Sequence, residues 1–88
     1  MKSLEECRLI IDEIDREMVK LFEKRMDIVN DVSEYKRKNK LPVYDAEREK
    51  KIIEKNSKYV QNIDYVNYYK EFIQSMMDIS KEYQKSKE

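Results

Sequence analysis

Histidine and glycine are both missing from the 88-residue chain. Without histidine there is no imidazole general base, no imidazole metal ligand and no histidine-dependent triad. Without glycine there is neither a phosphate-cradling P-loop nor a glycine-rich dinucleotide fingerprint. The one cysteine, Cys7, has no partner for an internal disulfide and is too little for a metal site; it suits a reducing compartment. No run of 18 apolar residues occurs, and no apolar stretch precedes a small-residue cleavage site. The expectation is a cytoplasmic protein with neither a membrane span nor a secretory leader. Neither sign of charge is in excess, since 19 Lys and Arg face 19 Asp and Glu. A nucleic-acid partner, which would call for a basic excess, is therefore not expected.

Charged residues make up 43% of the chain, yet Leu, Ile, Val and Phe supply about 24%, above the range in which chains fail to fold. Seven Tyr and five Met add to the apolar stock. With no glycine and only Pro42 to punctuate the chain, turns are scarce, and the fold class expected is all-α, a single domain over residues 1–88.

The first helix is expected from Ser3 to about Lys38. Leu4, Cys7, Ile11, Ile14, Met18, Leu21, Arg25, Ile28, Val32 and Tyr35 recur at alternating steps of three and four, a heptad-like seam. Ser3 with Glu6 reads as a capping box. Such a rod is roughly 50 Å long, against a radius of gyration near 12 Å for a compact domain of this size. Two shorter helices cannot cover it, so association with a second copy is expected. Pro42 ends the rod by biasing Leu41 away from helical angles. Asp45 then caps a second helix running to about Ser57, with Ile52 and Ile53 turned inward. After a break over Lys58 to Ile63, Asp64 is the expected cap of a last helix carrying Val66, Tyr69, Ile73, Met77, Ser80 and Gln84 on one stripe.

Polar residues interrupt these stripes. Arg25 lies mid-seam, where a charge is costly unless paired. Lys36, eleven residues on, returns to within about 20° of it. Arg48 occupies the first turn of the second helix, where the helix dipole disfavours a cation. Ser80 and Gln84 are an i, i+4 pair on the last apolar stripe. Arg8 faces about 100° away from Arg25 on the same helix, so only a partner copy would bring it to the same pocket. Each position has a bland explanation in a surface ion pair, a snorkelling stem or a frayed end. Together they describe a wet, cationic pocket suited to a small dianion. The inventory favours positioning and electrostatic stabilisation over covalent or proton-transfer chemistry.

Arg8, Ile11, Ile14 and Asp15, then Leu21, Arg25 and Tyr35-Lys36, then Leu41-Pro42-Val43-Tyr44-Asp45-Ala46-Glu47-Arg48-Glu49, and finally Ser80 with Gln84, resemble the all-α chorismate mutases over essentially the whole chain. The resemblance implies rearrangement of chorismate to prephenate without a cofactor or metal, in an intertwined homodimer whose sites draw on both chains. Carried over by position, Arg25, Arg48 and the partner subunit's Arg8 bind the carboxylates. Lys36 and Gln84 donate to the ether oxygen, Glu49 and the backbone at Asp45 hold the ring hydroxyl, and Ser80 supports the pocket. An isochorismate-pyruvate lyase of similar fold is the enzymatic alternative, and a non-catalytic dimerisation or regulatory module the alternative from another class. One departure stands out: the family commonly has Gly where Lys40 stands before Leu41-Pro42-Val43. If that position needs a positive backbone angle, the expectation is a strained or differently shaped loop, with Asn39 as the substitute.

Overall fold

In the computed structural model, which describes residues 1–88, the chain forms three α-helices and no strand. They are α1 over Leu4–Lys38, α2 over Ala46–Ser57 and α3 over Val66–Ser86, with a short 3-10 turn at Ile63–Tyr65. Ser3 caps α1, its Oγ accepting from the Glu6 backbone N–H at 3.1 Å. Glu6 makes no return bond to the cap, so only half of the expected box forms.

The end of α1 is set by backbone geometry ahead of the proline. Leu41 N–H reaches the Lys36 carbonyl at 2.8 Å and Lys40 N–H the Arg37 carbonyl at 3.4 Å, the paired bonds of a Schellman closure. That closure needs a left-handed residue, which is Lys40 at φ 54°, while Asn39 stays at −99°. Asn39 is therefore not the substitute; its side chain donates instead to the Tyr35 carbonyl at 2.8 Å. Asp45 caps α2 as expected, Oδ1 accepting from Arg48 N–H at 3.0 Å. The cap before the last helical segment is different from the expected one. Asn62 Oδ1 accepts from Asp64 N–H at 2.9 Å and starts the 3-10 turn, leaving Asp64 inside it.

α3 packs against both α1 and α2. Arg25 bonds to Ser80, Asn30 to Tyr83 and Arg37 to Lys87, so α3 runs in the direction of α1. The core is small: Val29, Ile73 and Met77 are its buried apolar residues, joined by Ser33, Ser80 and Gln84. The line of α1 that meets α3 is thus Val29–Ser33, one step around from the heptad seam. Seam residues Leu21 and Ile28 remain 63% and 61% exposed. Residues 1–24 are uncovered save for half-buried Cys7. The radius of gyration is 16.2 Å and the extents are 54 × 25 × 15 Å, the elongated shape that the rod length implies. No helix is long and apolar enough to cross a membrane.

Candidate active site

A cleft of about 270 Å³ opens where the C-terminal half of α1, the 39–45 connection, the start of α2 and the end of α3 meet. Arg25, Lys36, Asp45, Arg48, Glu49, Ser80 and Gln84 all line it, with Ile28, Val29, Val32, Val43, Ile52 and Met77 as apolar wall. Seven of the eight residues that the sequence singles out therefore share one cavity. Arg8 is the eighth, and it lies exposed near the far end of α1. The structure does not bring it to the cleft of its own chain.

Each element presents its side chain for a local reason. Positions 25, 29, 32 and 36 fall on one face of α1, so the two cations flank the apolar floor made by Val29 and Val32. Arg25 Nη1 donates to Ser80 Oγ, and that hydroxyl donates in turn to the Met76 carbonyl at 2.9 Å. Lys36 Nζ donates to the Val43 carbonyl at 2.9 Å. This bond ties the connection to α1 and leaves two of the three ammonium donors unspent. The Asp45 cap fixes the first turn of α2, from which Arg48 and Glu49 project into the cleft. Tyr83 Oη donates to Asn30 Oδ1 at 3.0 Å, a second polar clamp that sets α3 on α1 beside Gln84.

The electrostatics are unbalanced in a useful way. The chain forms three ion pairs, Lys20–Glu17, Lys81–Glu49 and Lys81–Asp78. Arg25, Lys36 and Arg48 have no carboxylate within ion-pair distance, and the surface pair of Arg48 with its neighbour Glu49 does not form. Gln84 is 6% exposed, and its Oε1 is buried without a hydrogen-bond partner. That oxygen is an acceptor, so the donor which Gln84 can offer a ligand in the cleft is its amide Nε2. No group of three Cys, Asp or Glu comes together as a metal site would require.

Lys81 is the cleft residue that sequence reasoning missed. It bonds Glu49 Oε2 at 3.0 Å and Asp78 Oδ1 at 3.2 Å, and lies 4.7 Å from the centre of the Tyr44 ring. The hydrogen bond to Glu49, more than any other influence, holds the Lys81 ammonium above the usual lysine range. Asp78 is held below the usual carboxylate range, first by the Gln74 amide and then by Lys81. The available signal was position: Lys81 lies four residues after Met77 and three before Gln84, on the edge of the stripe.

The family model described as chorismate mutase type II matches residues 7–85. The chorismate mutase of Methanocaldococcus jannaschii is 38% identical over 66 residues, covering 73% of this chain and 67% of that protein. The bifunctional chorismate mutase/prephenate dehydratase of Aquifex aeolicus is 30% identical over 89 residues, 92% of this chain but 25% of that protein. The T-protein of Haemophilus influenzae is 43% identical over 49 residues, 56% of this chain and 13% of that protein. The chain thus spans a quarter or less of two of these relatives and about two thirds of the third. With a match that runs from the first turns of α1 to the end of α3, the chain belongs to the type II chorismate mutase family.

Proposed function

We propose that the chain is a chorismate mutase, rearranging chorismate to prephenate in this cleft as a cytoplasmic homodimer. The observation that carries the reading is the convergence of Arg25, Lys36 and Arg48, none paired with a carboxylate, on the cavity that holds the buried amide of Gln84. A substrate with two carboxylates supplies the missing anions. Arg25 and Arg48 offer guanidinium forks matched to carboxylates, and Ser80 steadies the first of them.

The reaction breaks a carbon–oxygen bond as a carbon–carbon bond forms in the same molecule, and it needs no external acid, base or nucleophile. What it needs is a folded substrate conformer, which fixed carboxylate contacts select, and donors aimed at the ether oxygen as it gains negative charge. Lys36 and Gln84 are assigned that role; each such donor is worth about 10²–10³ in rate. Glu49 and the backbone at Asp45 are assigned the ring hydroxyl. No histidine is required, in keeping with its absence from the chain.

The homodimer reading rests on the uncovered apolar surface. Met18, Leu21, Phe22, Met26, Phe72, Met76 and Ile79 border a second, almost wholly apolar groove of about 400 Å³ beside Arg25. A second copy of α1 is the occupant whose seam matches it, and each buried Leu, Ile or Met adds about 1.5–3 kcal/mol. In that arrangement the partner subunit's Arg8 joins the carboxylate binders. Incubation of the purified chain with chorismate and, separately, isochorismate tests the reading. Prephenate from chorismate is the expected result. Salicylate and pyruvate from isochorismate would assign the lyase reaction instead, and inertness toward both would favour a non-catalytic module.

A further inference from the structure

Glu49 is held from two sides by α3. Its Oε2 accepts from Lys81 at 3.0 Å and its Oε1 from the Gln74 amide at 3.2 Å. Asp78, between them on the same helix, accepts from that amide at 3.0 Å and from Lys81 at 3.2 Å. The four side chains close a ring, with Lys81 further seated over the face of Tyr44. The pair is sheltered, Lys81 and Glu49 being 21% and 15% exposed while Asp78 is 53% exposed on the outer side. A carboxylate has about four acceptor positions. With one on each oxygen engaged from α3, rotation of the group is blocked and the remaining lone pairs keep a fixed direction. Glu49 and Lys81 both line the cleft.

We infer that Lys81 is a positioning residue for the mutase reaction: by clamping Oε2 of Glu49 it aims that carboxylate at the ring hydroxyl of the bound substrate. The inference rests on the proposed mutase activity and adds to it a residue that acts through Glu49. It differs from a simpler role for Lys81, in which the ammonium would serve as a further cation for the substrate carboxylates. A direct charge contact acts whether or not Glu49 is present, and its loss weakens binding. Positioning acts only through Glu49, and its loss leaves substrate bound in poorer register.

The test is a double-mutant cycle read in steady-state kinetics on chorismate, using wild type, Lys81→Met, Glu49→Ala and the double variant. Lys81→Met is expected to lower kcat by about ten- to hundred-fold, with KM changed by less than about three-fold. In the Glu49→Ala background the same substitution is expected to cost less than about two-fold. Circular dichroism checks the folding of each variant, and Lys81→Gln enters the same cycle if the methionine variant does not fold. Equal losses with and without Glu49, or a loss confined to KM, would overturn the positioning role alone. A folded wild type that leaves chorismate unchanged would overturn the mutase reading and this inference with it.

Discussion

Alanine at Arg8 in one copy and at Arg25 in the other separates a shared site from a self-contained one. Along α1 the two residues are seventeen positions apart, about 25 Å of helical rise and about 100° of rotation. Arg25 lines the cleft and Arg8 is exposed far from it, so no rotamer joins them within one chain. Arg25→Ala is expected to fold, because Ser80 keeps its bond to the Met76 carbonyl at 2.9 Å and no buried group is orphaned. Removing a charge from this half-buried position leaves melting near the wild-type value or above it. Each variant alone is expected to be inactive. Mixed in equal amounts, unfolded and refolded together, half the dimers become hybrids with one complete site and one lacking both arginines. About a quarter of wild-type activity should then return. Chorismate consumption reads the recovery, and mass spectrometry under native conditions counts the hybrids. Hybrids formed without recovered activity would refute the shared-site reasoning, because an arginine working within its own chain leaves every hybrid site one short.

Three further outcomes follow from the same structure. Lys40→Gly removes the cost of a left-handed non-glycine residue at φ 54°, about 1–2 kcal/mol. Glycine's greater unfolded freedom takes back about half, so the midpoint should rise by roughly 2–8 °C in a thermal melt; an unchanged or lower midpoint would contradict the αL assignment. Gln84→Glu should confine activity to acid pH, since a carboxyl donates a hydrogen bond only when protonated; an unshifted profile would remove Gln84 from the site. Asp78 is held below the usual carboxylate range by Gln74 and Lys81. Its stabilising contribution is therefore present above its unfolded pKa and lost as pH falls through the lower folded value. The melting-temperature difference between wild type and Asp78→Asn should shrink on acidification, and a difference that grows would reverse the sign.

The elements that sequence makes legible are those fixed by local chemistry. Ser3 and Asp45 act within a few residues of themselves, and the starts of α1 and α2 fall where these residues place them, whereas the end of α1 is closed by left-handed Lys40 ahead of Pro42. The start of α3 was less legible because Asn62 captures the Asp64 N–H and diverts the chain through a 3-10 turn first. The heptad pattern identified α1 but not which line of it faces α3. Ser33 lies off the heptad seam, yet it is 6% exposed, where a small side chain lets the helices approach. Arg25, Ser80 and Gln84 were legible as violations, since a cation on an apolar seam and polar groups on an apolar stripe stand out against their periodicity. Asp45 and Glu49, by contrast, fit their helix start and were singled out only through the family resemblance. Lys81 was not legible, because a lysine near a charged helix end violates nothing. Its place depends on α2 bringing Glu49 within 3.0 Å, a tertiary distance with no trace in the chain's own spacing.

The central claim, that this cleft rearranges chorismate through donors aimed at the ether oxygen, is tested most directly by comparing wild type with Lys36→Met on chorismate at neutral pH. The substitution deletes one ammonium from the cleft, together with its bond to the Val43 carbonyl. Wild type should convert chorismate to an equal amount of prephenate, and folded, dimeric Lys36→Met should do so about 10²–10³ times more slowly. Wild-type protein that folds and leaves chorismate intact, or a methionine variant that turns it over at the wild-type rate, would contradict the account.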